Sequence, residues 1–352
     1  MITGMAHIRR HQGYTGKEIG LYDDSLVEPL RALTAAVHRH PGKVFAQLCH
    51  APPQVSPATA KRYGCGAPSA GFNRVNLRWD RALSGSELEA LARDFGAAAR
   101  RAREAGFDGV QLHGAHGYLI SRMISPRHNR RTDRWGGDFE GRLTFLEEVY
   151  RAIRGEVGSD FPVTLKLTAH DAARRGLDLE TAVRIGERLQ KWGMDAIEVS
   201  AGTGDIRLGF YPNRGEIPID LGKRFLAQEF AFLRPVAPAL GPIIRVLARR
   251  ASFPGEAYFE PLARRFAETL HIPVICVGGI RSRVVAERIL SKTPIAMVSM
   301  ARPLVREPEL PRVWEADPGA VAACTSCNRC FVQVGLRRPL ACYADKRPPR
   351  QG

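Results

Sequence analysis

Three residues able to hold or move protons fall within six positions of one another: His113, His116 and Tyr118, in the run Val110-Gln111-Leu112-His113-Gly114-Ala115-His116-Gly117-Tyr118. Two imidazoles three residues apart in a turn can converge on one oxygen and stabilise the charge that develops there, as oxyanion-hole donors do. A tyrosine two positions further on can deliver a proton. The plainer reading is a pair of loop histidines satisfying backbone carbonyls, and a metal site is disfavoured because no carboxylate of suitable spacing joins them. Lys166 stands near the end of the apolar run Phe161–Thr168. A buried lysine there needs an anion, supplied either by a structural ion pair or by a ligand. Cys324, Cys327, Cys330 and Cys342 form a C-x2-C-x2-C-x11-C group whose thiolate spacing suits zinc or an iron-sulfur cluster.

Short apolar runs followed by amphipathic stretches must position these groups. The expected strands are Met1–Ala6, Val44–Cys49, a run at Val110, Phe161–Thr168, Ala196–Ser200, Pro273–Gly279 and Ile295–Met300. Helices are expected at Asp24–His38, with Leu26, Leu30, Leu33 and Val37 on one face, and at Leu88–Glu104, opened by a capping box of Ser86 and Glu89. Further helices are expected at Gly141–Ile153, Leu179–Trp192, Ala257–Leu270 and Arg283–Leu290. A proline-rich loop runs from His50 to about Ser84, and the pattern blurs from Gly202 to Arg250 around a helix-like Phe225–Leu233. Continuous apolar strands joined by helices predict a parallel sheet covered on both faces. Polar groups recurring at strand ends favour a (β/α)8 barrel over a doubly wound sheet. Seven strands are one short of closure, so a first strand is expected to be missing before Met1.

The chain has 352 residues, 44% hydrophobic and 25% charged, a balance that predicts a soluble globular protein. No run reaches the roughly 18 to 20 apolar residues of a membrane helix, and the start lacks the basic and apolar regions of a signal peptide, so the cytoplasm is the expected compartment. The net charge of +16 comes mostly from dispersed arginine. It suits either a solvated basic surface or a field favouring anionic ligands such as nucleotide cofactors or acyl-CoA. With no basic stripe and no binding motif, nucleic acid is not an expected partner. Arg122, Arg127, Arg130, Arg131 and Arg134 read mainly as scaffold, pairing with Asp133, Asp138 or Glu140, with a minority able to meet an anionic donor. Cys49, Cys65 and Cys276 read as isolated buried thiols.

The motif around His113, continued by Ser125-Pro126, Asn129, Arg131-Thr132-Asp133 and Trp135-Gly136-Gly137, resembles the old yellow enzyme family of FMN-dependent ene-reductases on a (β/α)8 barrel. The likeness runs from Ile2 to about Pro308. It implies that His113 and His116 bind the activating carbonyl of a substrate with an electron-poor C=C, and that Tyr118 protonates the substrate carbon. It implies that Gln47 meets the flavin pyrimidine edge, that Gly4 gives the flavin room, and that Lys166 stands beside flavin N1 and O2. Gly278, Gly279, Ala301 and Arg302 match the phosphate site, where glycines admit amides and arginine supplies a fork of donors. NAD(P)H is the implied donor, and a homo-oligomer is compatible.

The chain departs from the family pattern at Ala301-Arg302, where relatives have Gly-Arg, and at Ala51-Pro52-Pro53, where they have Ala-Gly-Arg. The four late cysteines resemble the 4Fe-4S site of the trimethylamine dehydrogenase and 2,4-dienoyl-CoA reductase group, although zinc and an unoccupied thiol tail stay open. The expected organisation is an N-terminally short FMN barrel over 1–318 and a cysteine-rich tail over 319–352. The alternatives are an electron-transferring or demethylating relative that uses the cluster, and a non-catalytic incomplete barrel.

Overall fold

A computed structural model of the chain describes residues 1–13, 18–52, 55, 57–73, 77–171, 175–202, 218–229, 235–242, 245–246 and 255–344. Two compact units divide it: Met1–Thr203 with Leu270–Ile272, and Gly204–Thr269 with Pro273–Gly352.

The first unit is built on parallel strands β1 (Ile2–His7), β2 (Ile19–Gly20), β3 (Phe45–Cys49), β7 (Gly109–Gly114), β8 (Val163–Thr168) and β9 (Ala196–Ser200), in the spatial order β9-β8-β7-β3-β1-β2. Helices α1 (Val27–His38), α3 (Gly85–Glu104), α5 (Phe139–Val157) and α6 (Leu179–Trp192) alternate with them. β7 and β9 are buried at every position, as strands covered on both faces must be. On the helical side α3 and α5 share a core of Leu88, Leu91, Phe95, Phe145, Leu146 and Val149, with the rings of Phe95 and Phe145 edge to face at 6.5 Å.

Local chemistry explains where the elements depart from expectation. α3 begins three residues earlier than its face suggests, capped by Ser84 with Glu87 in a complete box. The overlapping Ser86/Glu89 pair loses this role because Arg81 clamps Glu87 at 2.6 and 2.8 Å while Glu89 is taken by Arg134 at 2.7 Å. The stretch expected as one long loop holds α2 (Pro57–Arg62) and the short strands β4 (Gly66–Ala67), β5 (Gly71–Asn73) and β6 (Arg78–Ala82). These strands have no apolar alternation to betray them. The Asp80 carboxylate holds them, accepting from Asn73 Nδ2 at 2.8 Å and Arg78 Nε at 2.7 Å. β2 is likewise too short to show a period.

The second unit pairs β10 (Val274–Val277) with β11 (Met297–Ser299) in parallel and places the helices Glu260–Ala267 and Arg283–Lys292 beside them in sequence. A helix at α7 (Ile219–Glu229) precedes them, and the expected helix over 225–233 extends past it into residues outside those described. Among the described residues no helix is long and apolar enough to cross a membrane.

Candidate functional site

Strand register assembles the first wall. Gln47 stands opposite Gln111, and two residues on His113 stands opposite Lys166, which stands opposite Glu198. Partners in register share a face, and so do residues i and i+2 along one strand. Gln47, Gln111, His113, Lys166 and Glu198 therefore all project from one side of the sheet.

They are joined by hydrogen bonds. Gln47 Nε2 donates to Gln111 Oε1 at 2.7 Å, Gln111 Nε2 donates to Glu198 Oε2 at 3.0 Å, and Lys166 Nζ donates to Glu198 Oε1 at 2.7 Å. The ion pair is nearly dry, with side chains 14% and 4% exposed. Glu198 thus supplies, within the protein, the anion that a buried Lys166 needs.

His113 lies at the end of β7 and is buried. Its Nδ1 accepts from the amide of Ala115 at 3.4 Å, which puts the ring proton on Nε2 as a donor. Burial, reinforced by the neighbouring His116 and Lys166, holds His113 well below the usual histidine range, so its ring is neutral. His116 adopts φ +63, in the left-handed region that a branched or bulky residue enters only when held there. Two bonds hold it: its amide donates to Thr168 Oγ1 at 3.1 Å and its Nε2 meets Ser200 Oγ at 2.7 Å. Burial and then the Lys166 ammonium push it down to about 3.

Tyr118 caps the start of α4 (Leu119–Ile124) and is buried against Cys49, Ala51 and Val55. The His113 ring stands edge-on to both partners, 4.7 Å from Tyr118 and 5.2 Å from His116. The turn between the histidines and α4 is fixed by Arg122 Nε donating to Gly117 O at 2.8 Å and Gly117 N donating to Ser121 Oγ at 3.2 Å.

Gly4 lies on β1 where the register to β3 shifts between Ile2 and Met5. A Cβ built there would meet no atom within 4 Å. Open space over Gly4 and a polar face ending in an amide and an ammonium fit the pyrimidine edge of a flavin. Gln47, Lys166 and Gly4 are the residues of this unit that would hold it.

The second unit contains Gly278, Gly279, Ala301 and Arg302. Gly278 and Gly279 have φ +130 and +72, and a Cβ on either would press on the Tyr258 ring, so packing as well as any ligand requires glycine here. Arg302 donates to Asn328 Oδ1. Cys324, Cys327, Cys330 and Cys342 line one pocket of about 310 Å³, counted with its open mouth, together with Arg302 and Arg306. All four thiols are unbridged and partly exposed, and Arg306 Nη1 reaches Cys342 Sγ at 3.4 Å. Among the described residues no three histidines, cysteines or carboxylates stand close enough to hold one ion. Cys49, Cys65 and Cys276 are buried as expected. Of the five arginines, Arg131 pairs with Asp133 as expected, while Arg134 pairs with Glu89 and Glu148 and Arg122 with Asp80. Glu140 is taken by Arg188.

Sequence reading missed Gln111, Thr168, Glu198 and Ser200. A signal for Glu198 was present: a carboxylate inside the apolar run Ala196-Ile197-Glu198-Val199 cannot be buried without a partner.

Comparisons with known proteins place the chain in a family. Residues 1–203 match the model of the NADH:flavin oxidoreductase / NADH oxidase family. The chain is 31% identical over 327 residues to the 4,4'-dithiodibutanoate disulfide reductase of Rhodococcus erythropolis, covering 92% of this chain and 78% of that one. It is 31% identical over 328 residues to the NADH oxidase of Thermoanaerobacter brockii, covering 91% of this chain but only 44% of that protein. The structure of the old yellow enzyme homologue from Zymomonas mobilis superposes with a TM-score of 0.65 at 23% identity, over 93% of this chain and 82% of that one, a likeness that shows a shared α/β fold of (β/α)8 type. By a match over more than half its length, backed by a relative above 30% identity along most of both chains, the protein belongs to the NADH:flavin oxidoreductase / NADH oxidase family.

Proposed function

We propose that the chain is an FMN-dependent oxidoreductase that moves a hydride from NAD(P)H to an electron-poor C=C of an enone or enoyl-type substrate. One observation carries this reading: at the carboxyl end of β7 the His113 ring stands edge to face against both His116 and Tyr118, and His113 shares the face that bears Gln47 and Lys166. FMN supplies the hydride chemistry when bound. The protein supplies position and polarity.

His113, with its proton on Nε2, donates to the substrate carbonyl oxygen. His116 contributes Nδ1–H when Ser200 Oγ donates to its Nε2. Neutral donors suit this task, because they stabilise growing charge on oxygen without surrendering a proton to it. Tyr118 Oη gives the proton that completes the reduced carbon. Replacing both His113 and His116 by alanine should leave FMN bound but abolish the charge-transfer band with phenols and the reduction of cyclohexenone. Unchanged enone turnover in the double variant would end the assignment.

A second reading draws on the cysteine pocket. Four thiols on one cavity beside Arg302 and Arg306 support a 4Fe-4S cluster and an electron-transferring role. Iron and acid-labile sulfide in equal amounts after anaerobic purification would favour it. A colourless second unit, or zinc alone, would count against it.

A further inference from the structure

We propose that Glu198 is a positioning residue that sets both the direction of the amide chain ending at Gln47 and the effective charge of Lys166. The proposal rests on the flavin reading given above and adds to it a residue that touches neither flavin nor substrate.

The first half follows from donor and acceptor counting. An ionised carboxylate only accepts, so Gln111 must turn its NH2 towards Glu198. Gln111 then has only its carbonyl to offer Gln47, and Gln47 must answer with its own NH2. The carbonyl of Gln47 and its second N–H are left at the end of the chain, and the Gln47 side chain makes no other hydrogen bond among the described residues. That acceptor and donor, side by side, complement an imide edge, which offers an N–H flanked by carbonyl oxygens. Gln111 is fully buried and Glu198 is 3% exposed, so water cannot substitute for a misdirected amide.

The second half is electrostatic. Glu198 Oε1 accepts from Lys166 Nζ at 2.7 Å in a site that is almost dry, where opposite charges offset each other strongly. A flavin that becomes anionic on reduction would therefore meet a cation already partly neutralised. Glu198 holds the ammonium in place and at the same time limits how far it stabilises the reduced cofactor.

The test begins with the FMN-free wild-type protein, reconstituted with FMN and followed by quenching of flavin fluorescence. Failure to take up FMN overturns the flavin reading itself, and this proposal with it. With FMN bound, the midpoint potential is measured for wild type and Glu198→Gln. The variant keeps the shape of the side chain but removes the charge and turns one acceptor into a donor. The expected result is at least a tenfold gain in the stability of reduced over oxidised flavin, about 30 mV more positive for a two-electron couple, with FMN bound at least tenfold more weakly.

In a Lys166→Met background the Glu198→Gln shift should vanish, since a buried Glu198 without its cation is driven to the neutral form. A purely structural glutamate would lower the melting temperature yet leave the potential where it was. A folded Glu198→Gln protein with wild-type potential and affinity overturns the proposal. Should Glu198→Gln not fold, Glu198→Asp must show a smaller positive shift, because the shorter carboxylate cannot reach both Lys166 and Gln111, and a wild-type potential in that variant has the same overturning force.

Discussion

Arg122 reaches back from α4 to the Gly117 carbonyl at 2.8 Å, and its other end meets Asp80 at 3.6 Å on β6. One guanidinium thus ties the turn carrying His116 and Tyr118 to a small sheet some forty residues earlier in the chain. Both charged groups are almost wholly buried, with side chains 7% and 3% exposed. Without Arg122, Asp80 would keep Arg78 and Asn73, so the loss would fall on the Gly117 carbonyl, whose charged donor is worth about 1.5 to 3 kcal/mol.

Arg122→Met should therefore destabilise the protein by about 2 kcal/mol, read as a lower midpoint in urea unfolding. Arg122→Lys should recover less than half of that, because a lysine cannot reach Gly117 and Asp80 with separate donors. Full recovery by lysine would mean that charge alone, and not the forked geometry, holds the turn.

Acid should weaken the fold through its buried histidines. Burial holds His50, His113 and His128 well below the usual range and His116 at about 3. Because these folded-state values lie below the unfolded value, the unfolded chain takes up protons first as the pH drops. Stability is then present above about pH 6.5 and is lost below it, by up to about 1.4 kcal/mol per pH unit for each histidine. Replacing His116 by glutamine should shrink the stability lost between pH 7 and pH 5 by about 2 kcal/mol. Urea unfolding at the two pH values gives the difference directly, and an unchanged loss would show that His116 is not neutral in the folded protein.

Gly4 offers a substitution that separates folding from cofactor binding. Since a Cβ there meets nothing within 4 Å, Gly4→Val should leave the melting temperature within about 2 °C of wild type. The same side chain would fill the space proposed for the flavin. FMN affinity, measured by fluorescence titration, should drop at least tenfold, and wild-type affinity would remove Gly4 from the site.

The α3 cap gives a check on local structure alone. Glu87 N donates to Ser84 Oγ at 3.2 Å and Ser84 N donates back to Glu87 Oε2 at 2.8 Å. Ser84→Ala should cost about 1 kcal/mol by thermal unfolding, whereas Ser86→Ala should cost almost nothing.

Much of this was legible in the sequence wherever a pattern repeats or a motif is dense. Leu179–Trp192 and Ala196–Ser200 occur with the expected bounds, because a helical apolar face and a continuous apolar run each leave a period to read. His113, His116 and Tyr118 could be singled out because three polar groups within one turn after a strand are improbable as packing. The strands at residues 66–82 could not be seen, since they are short and are held by Asp80 and its partners. The capping box was misplaced by two residues because Ser84-Gly85-Ser86-Glu87-Leu88-Glu89 contains the motif twice.

By itself, then, the sequence determined which chemical groups the site can use and the alternation of strands and helices that carries them, since both follow from residue type and local period. Only the tertiary structure decided what Lys166 faces, which nitrogen of His113 bears the proton, and that Glu198 directs two glutamines. Those depend on register between strands as far as 87 residues apart, and pairing at that distance leaves no local trace.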